Sequence, residues 1–147
     1  MQSPVLVQRL QKEEQRARLE EKNVRAMLKI AVETVADELG TGRRESVYQC
    51  ALKHEIQKRM QQVALLEFPI PILYKGERVG VSYIDLLVTN SFFVEAKATA
   101  KIGGKDVLQA CAYSRDSGLL GALVNFKQTA KGGVEIVYVN GQSIIEF

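Results

Sequence analysis

The stretch VGVSYIDLLVTNSFFVEAKA, residues 79–98, decides the fold. Two apolar runs in it are separated by Thr89-Asn90-Ser91, which predicts a β-hairpin with a three-residue loop. In that register Asp85 lies directly opposite Glu95, with Cβ atoms about 4.5–5.5 Å apart. Lys97 shares their face, because side chains alternate along a strand. The hairpin therefore brings two carboxylates and one ammonium group to the same patch of a sheet.

Two facing carboxylates in an otherwise apolar strand pair require compensation, because like charges directly opposite each other are destabilising. A shared proton, an ion pair with Lys97 or a bound cation would each provide it. A divalent metal ion accounts for both acids at once. Two alternatives remain open. One acid could pair with Lys97 near solvent while the other is hydrated, or a two-residue loop could place Asp85 and Glu95 on different faces.

Helical periodicity flanks this hairpin. Apolar residues recur at helical spacing from Val24 to Leu39 and from about Arg44 to Gln61, and a third helix spans roughly Lys105 to Ser117. Further apolar runs predict strands over Val63–Tyr74, Val79–Val88, Phe92–Ala98, Leu119–Phe126, Val134–Val139 and Ser143–Phe147. The order α-α-β-β-β-α-β-β-β predicts an α/β fold, a mixed β-sheet flanked by helices. Pro69 and Pro71 place the first strand at a sheet edge.

Residues 1–19 form a polar segment that we expect to be helical and to lie outside the core. Ser3 followed by Pro4 is typical of a helix start, and Gln11–Arg16 has no apolar stripe. A polar helix of this kind is either solvated or a contact for a protein partner. We expect a single domain over residues 20–147, since no repeat or low-complexity segment divides it.

The composition is that of a globular domain rather than a disordered chain, with 147 residues of which 46% are hydrophobic and 25% charged. The net charge of +3 is compatible with an anionic partner but does not identify one. Cys50, Cys111 and His54 are too few for a disulfide framework or a cysteine-rich zinc site. We expect both thiols to be reduced and partly buried, in a cytosol-like compartment.

The N-terminal sequence does not match the pattern of a signal peptide or a mitochondrial presequence. No apolar run approaches the ~20 residues that a membrane span requires. The acids Glu13, Glu14, Glu20 and Glu21 fit neither a signal peptide nor a mitochondrial presequence. We therefore expect an intracellular protein, cytoplasmic or nuclear, that is not secreted and does not enter a membrane.

Four short motifs occur in order along the chain. They read Gly42-Arg-Arg-Glu45-Ser-Val-Tyr48, Ile84-Asp85-Leu-Leu-Val88, Val94-Glu95-Ala-Lys97-Ala98 and Gln109-Ala-Cys-Ala-Tyr113. The series resembles the GxxExxY family, a branch of the PD-(D/E)XK nuclease superfamily, from about residue 24 to residue 126. The resemblance implies a restriction-endonuclease-like α/β core.

The resemblance also implies roles for individual residues. Asp85 and Glu95 would be metal ligands, Lys97 the catalytic lysine, and Glu45 a further acid of the catalytic and metal site, supplied by a helix. Mg²⁺, or Mn²⁺ in its place, would be the ion, since a metal held by carboxylates activates water and relieves charge on a phosphoryl group. For Glu45 the alternative is a favourable charge near a helix N-terminus.

Other residues near the motifs are candidates for binding nucleic acid. Gln109 and Tyr113 match the QxxxY element of exonuclease-type relatives and share a helix face. Glutamine can hydrogen-bond a phosphate or a base edge, and tyrosine can stack. The basic candidates for the nucleic-acid backbone are Arg43, Arg44, Lys101 and Lys105, for each of which a solvated charged face is the alternative. Tyr48 is expected in the core.

These observations favour a metal-dependent nuclease that hydrolyses phosphodiester bonds, of DNA rather than RNA. The alternative is a catalytically inactive nucleic-acid-binding module of the same fold that acts within a larger assembly. A nuclease that cuts two strands would favour a homodimer.

Overall fold

The computed structural model describes residues 3–89, 91–141 and 143–144, and its elements follow the predicted order. The helices are α1 (Pro4–Leu39), α2 (Glu45–Met60) and α3 (Gly104–Ser117). The strands are β1 (Ala64–Tyr74), β2 (Glu77–Val88), β3 (Phe92–Lys97), β4 (Leu120–Phe126), β5 (Val134–Asn140) and β6 (Ser143–Ile144). The predicted last strand, Ser143–Phe147, is followed only to Ile144, and residues 145–147 lie outside the described part.

The strands form one mixed sheet in the order β1-β2-β3-β4-β5-β6. β3 and β4 are parallel, and every other neighbouring pair is antiparallel. α3 makes the crossover between the two parallel strands, so its N-terminus lies near the end of β3. β1 is an edge strand, which confirms the position predicted from Pro69 and Pro71.

Each face of the sheet carries an apolar cluster. Along β3, Val94 and Ala96 lie in the cluster beneath α1 and α2, and Phe93 lies in the cluster beneath α3. Because side chains alternate, Glu95 and Lys97 project from the same face as Phe93. The charged residues of the hairpin thus point toward α3.

Tyr48 anchors the connection between α1 and α2 to the sheet. Its buried ring stacks on Phe126 with the ring centroids 4.5 Å apart. Its hydroxyl donates to the Gly40 carbonyl at 2.7 Å and accepts from Gln128 Nε2 at 3.2 Å. The expectation that Tyr48 belongs to the core is confirmed, and these contacts fix the start of α2.

α1 is one continuous helix of 36 residues, about 54 Å long. Its fully buried residues begin at Leu28, whereas Val5 and Leu10 are exposed. The polar segment and the core helix expected from the sequence are therefore parts of one element that changes in burial, not in backbone. No helix in the described ranges is long and apolar enough to span a membrane.

The two cysteines differ in environment. Cys50 on α2 is exposed and Cys111 on α3 is buried, and both are free thiols. The expectation that both are partly buried is wrong for Cys50, which lies on the outer side of α2.

Candidate functional site

The β2–β3 hairpin has the predicted register. Leu86 pairs with Val94 and Val88 pairs with Phe92, with residues 89–91 connecting the strands. This register confirms the three-residue connection and excludes the two-residue loop. It also brings Asp85 next to Glu95.

Beyond the Leu86–Val94 pair, side-chain carboxylates take the place of main-chain carbonyls as acceptors of the hydrogen bonds between β2 and β3. The Asp85 N–H donates to Glu95 Oε1 at 2.8 Å, and the Ala96 N–H donates to Asp85 Oδ2 at 2.9 Å. Each carboxylate is therefore held by a main-chain N–H of the opposite strand. A carboxylate that accepts such a bond is fixed in orientation, with its second oxygen left for another partner.

The alternation of β2 is interrupted at Asp85. Leu86 lies in the cluster beneath α1 and α2, but Ile84 lies in the cluster beneath α3. On the neighbouring strand, Glu67 falls between two regular pairs and has a φ of 50°, which L-residues rarely adopt. Residues in strained conformations concentrate at functional sites. The distortion places Ile84 and Asp85, two consecutive residues, toward α3.

Burial raises the pKa of both acids. For Glu95, which is 4% exposed, desolvation and then the charge of Asp85 raise the pKa to about 8. The pKa of Asp85 is raised by burial too, against the opposing effects of the Ala96 N–H, the Glu95 side chain and Lys97. Burial thus favours the protonated form of this acid pair.

Lys97 forms its ion pair with a residue that the sequence did not single out. Its Nζ lies 3.7 Å from Asp106 Oδ1, at the start of α3. Within the described ranges, no ion pair joins Lys97 to Asp85 or Glu95, so the proposed cross-strand pair is not formed. The lysine still acts on both acids through space, since its charge lowers the pKa of each.

Helix α3 packs over the face of the sheet that carries the acids. The Tyr113 ring meets Phe93 edge to face, with centroids 6.5 Å apart. Burial raises the pKa of Tyr113, and the charges of Glu95 and Asp85 raise it further, against a hydrogen bond with Gln109. Gln109 and Tyr113 lie one turn apart on α3, as predicted, and Tyr113 lies within electrostatic reach of the acid pair.

Glu45 lies within electrostatic reach of Asp85. It is the first residue of α2, and its charge contributes to the raised pKa of Asp85. In the residues that the structure describes, no three acid, histidine or cysteine side chains are close enough to hold a metal ion.

A family model of the PD-(D/E)XK nuclease superfamily matches residues 21–137 of the 147-residue chain. The chain belongs to the PD-(D/E)XK nuclease superfamily. The match covers every element from the middle of α1 to β5, and the mixed sheet with flanking helices is the restriction-endonuclease-like fold predicted from the motifs. No curated protein and no solved structure matches the chain.

Membership of the PD-(D/E)XK superfamily gives the site a chemical context. Its members are usually nucleases that use divalent metal ions. The closer resemblance, to the GxxExxY branch, rests on the four motifs alone and stays a prediction.

The basic candidates lie on the surface of this superfamily fold. Arg43 donates from Nε to the Leu39 carbonyl at 3.3 Å, which ties it to the end of α1. Arg44 is the N-cap residue of α2, directly before Glu45. Lys101 and Lys105 are exposed before and within the first turn of α3. All four flank the elements that carry the acids and the lysine.

Sequence reasoning missed a polar network behind Lys97. The fully buried Asn125 is the β4 partner of Lys97. Its side chain accepts from the Thr99 N–H at 2.9 Å and donates to the Thr99 carbonyl at 3.2 Å and to Glu135 at 3.0 Å. A buried asparagine in an apolar strand was the available signal, because such a group must be hydrogen-bonded. The network fixes the loop from Lys97 to α3.

Proposed function

We propose that this protein is a metal-dependent nuclease that hydrolyses phosphodiester bonds of nucleic acid, DNA rather than RNA. The observation that carries the proposal is the buried Asp85–Glu95 pair, fixed by main-chain N–H groups, with Lys97 two residues further on the same face. Membership of the superfamily supports it independently.

The acid pair fits a divalent cation of the Mg²⁺ type. Both acids offer oxygen, the donor that Mg²⁺ prefers. One oxygen of each is held by a main-chain N–H, and burial raises the pKa of both carboxyls, an environment in which a bound cation would favour their charged forms. Asp85 and Glu95 would hold the ion, Mg²⁺ or Mn²⁺, with Glu45 as a further ligand directly or through water. The ion would supply an activated water and neutralise charge on the phosphoryl oxygens.

Lys97 acts on the water or on the charge that develops during hydrolysis. An ammonium group near the attacked phosphate stabilises the negative charge of the transition state more than that of the substrate. Its position at the end of β3, where Asn125 pairs with it and fixes the following loop, supports a defined direction for the side chain.

The surface around the acids suits a polyanion. Gln109 can hydrogen-bond a phosphate or base edge and Tyr113 can stack or donate, both from the face of α3 that overlooks the acids. The exposed cations that would bind the backbone are Arg43, Arg44, Lys101 and Lys105. A homodimer would serve the cutting of two strands, and the exposed first half of α1 would serve a protein partner.

One observation favours the alternative, a catalytically inactive nucleic-acid-binding module in a larger assembly. The Lys97 ammonium is paired with Asp106, not directed at the acids. If that pair persists with substrate, the protein would bind without turnover.

Cleavage assays decide between the two. Labelled single-stranded, duplex and branched DNA, and the matching RNAs, are incubated with the protein, with and without Mg²⁺ or Mn²⁺. We expect cleavage that requires the ion and is abolished in Asp85→Asn. Binding to any of these substrates without cleavage under either ion would replace the nuclease with the binding module. Absence of both would contradict both functions.

A further inference from the structure

Asp106 is fixed by the first turn of α3. Its Oδ2 accepts from the Gly103 N–H at 3.2 Å, and its own N–H donates to the Gly103 carbonyl at 3.1 Å. This capping arrangement satisfies main-chain groups at the helix start and orients the carboxylate. Its second oxygen, Oδ1, faces the Lys97 ammonium group.

The ion pair is sheltered but loose. The Lys97 and Asp106 side chains are 23% and 28% exposed, so solvent screens the pair only in part. The separation of 3.7 Å between Nζ and Oδ1 exceeds hydrogen-bond length. The ammonium group is thus attracted to α3 by charge, while its N–H donors remain available to another partner.

A lysine so close to two acids competes with any cation they could hold. Lysine carries a point charge on a flexible stem, and without Asp106 the strongest attraction on it would come from Asp85 and Glu95. An ammonium group seated on those carboxylates would occupy the position of the metal ion. A carboxylate on the opposite side of the lysine removes that competition.

We propose, as an extension of the proposed function, that Asp106 is a positioning residue that holds the Lys97 ammonium group against α3 and so leaves the Asp85–Glu95 pair free for a divalent cation. In the part of the chain that the structure describes, the carboxylate of Asp106 contacts Gly103 and Lys97 and makes no hydrogen bond with Asp85 or Glu95. It acts through Lys97, and its effect therefore depends on the presence of the lysine charge.

A double-mutant cycle in metal binding tests this dependence. Asp106→Asn removes the charge but keeps an oxygen that can accept from the Gly103 N–H, so the helix start is preserved. Mn²⁺ and Mg²⁺ affinities are measured by titration calorimetry without nucleic acid, in the wild type, Asp106→Asn, Lys97→Met and the double variant. We expect Asp106→Asn to weaken binding about tenfold in the wild-type background and by less than about twofold in the Lys97→Met background.

Two further variants complete the design. Asp106→Glu keeps both the charge and a side chain suited to this cap position, so it should restore most of the affinity. Asp116→Asn removes an exposed acid from the far end of the same helix and should leave affinity unchanged. At limiting metal concentration Asp106→Asn should cleave nucleic acid more slowly than the wild type, and a higher Mg²⁺ concentration should restore the rate, which a general loss of structure would not allow.

The possible outcomes distinguish a failure of the positioning role of Asp106 from a failure of the proposed nuclease function. Equal weakening of metal binding in both lysine backgrounds would show a direct charge effect of Asp106, which overturns the positioning role and leaves the nuclease proposal intact. A wild type that binds the ions but cleaves no nucleic acid would contradict the nuclease, while the binding cycle still decides the role of Asp106. A wild type that binds neither ion would overturn both.

Discussion

Asp85 and Glu95 each accept a hydrogen bond from the main chain of the other's strand. At this point of the hairpin the carboxylates, rather than main-chain carbonyls, accept the hydrogen bonds between the two strands. The hairpin therefore depends on these side chains for its structure as well as for its chemistry. Removing either oxygen would leave a buried N–H without an acceptor, which costs about 1–3 kcal/mol. Amide substitutions, which keep the oxygen and remove the charge, are therefore the appropriate probes of this pair.

Asp85→Asn should remove the specific divalent-ion site while leaving the fold intact. The amide oxygen can still accept from the Ala96 N–H, but the negative charge that attracts the ion is lost. Titration calorimetry with Mg²⁺ or Mn²⁺ should show affinity reduced by about tenfold or more. Asp116→Asn, an exposed acid on α3, is the control, and wild-type affinity in Asp85→Asn would refute the metal assignment.

The metal-free protein should lose stability as the pH rises. The Glu95 pKa is raised from 4.5 to about 8 on folding, so the folded state holds a proton that the unfolded chain releases. This contribution is complete below pH 4.5 and is lost as the pH passes through about 8. Urea unfolding between pH 5 and 9, with a chelator present, measures it.

Glu95→Gln is the control for this pH dependence. Glutamine does not titrate but can still accept from the Asp85 N–H. The free energy of unfolding of the variant should therefore fall less over the same pH range. Parallel pH profiles for the wild type and the variant would show that Glu95 is not the titrating group.

Lys97→Ala should separate cleavage from binding. A group that acts on charge developed only in the transition state affects the rate and not the ground-state affinity. We expect cleavage slower by about 100-fold or more, with nucleic-acid binding nearly unchanged. A melting curve checks that the variant is folded, and wild-type cleavage by a folded Lys97→Ala protein would make this lysine structural.

The double variant Arg43→Ala/Arg44→Ala should show the opposite pattern. If both arginines contact phosphates, affinity falls and its dependence on salt concentration becomes shallower by about two units of the log–log slope. Binding isotherms at several salt concentrations measure this. An unchanged slope would place both side chains outside the nucleic-acid interface.

Deletion of residues 1–19 should change the melting temperature by only a few degrees. Val5 and Leu10 are exposed in this half of α1, and among the side chains that the structure describes there, complete burial begins at Leu28. Little apolar area is therefore lost with the segment. Calorimetric melting of the full-length and shortened chains tests the expectation, and a large loss of stability would show that the segment packs on the domain or on a second copy.

Gly121→Ala should destabilise the protein by disturbing the packing of Phe93 against Tyr113. A Cβ at this position would lie 2.2 Å from Cζ of Phe93, the ring that meets Tyr113. We expect a loss of about 1–3 kcal/mol in the free energy of unfolding. Gly80→Ala is the matched control, because its Cβ would meet Ile72 at 3.4 Å, and equal losses in both variants would contradict the steric argument.

The hairpin could be predicted from the sequence because its determinants are local. The segment 89–91 and the apolar runs beside it fix the register, and the register alone brings Asp85 to Glu95. The edge position of β1 followed in the same way from its two prolines. Where a structural property depends on residues close together in the sequence, the hydrophobic pattern and the turn residues were sufficient to predict it.

The surroundings of the hairpin could not be predicted, because they depend on distant contacts. The partner of Lys97 is set by where α3 begins, and that is fixed by Asn125, 26 residues from Thr99. The unusual φ of Glu67 has no compositional signal, since glutamate is not a turn residue. The sequence thus predicted the acids but not how the lysine is held.

The ten-residue separation of Asp85 and Glu95 has a consequence for folding kinetics. Hairpins close within about 1–10 μs, so the two acids meet early, while they are still hydrated. In the folded protein they are buried or half-buried on the α3 face of the sheet, so the docking of α3 must desolvate them, and that cost opposes docking. An ion that neutralises the pair should speed docking, so that refolding, followed by tyrosine fluorescence after dilution from urea, becomes faster with Mg²⁺.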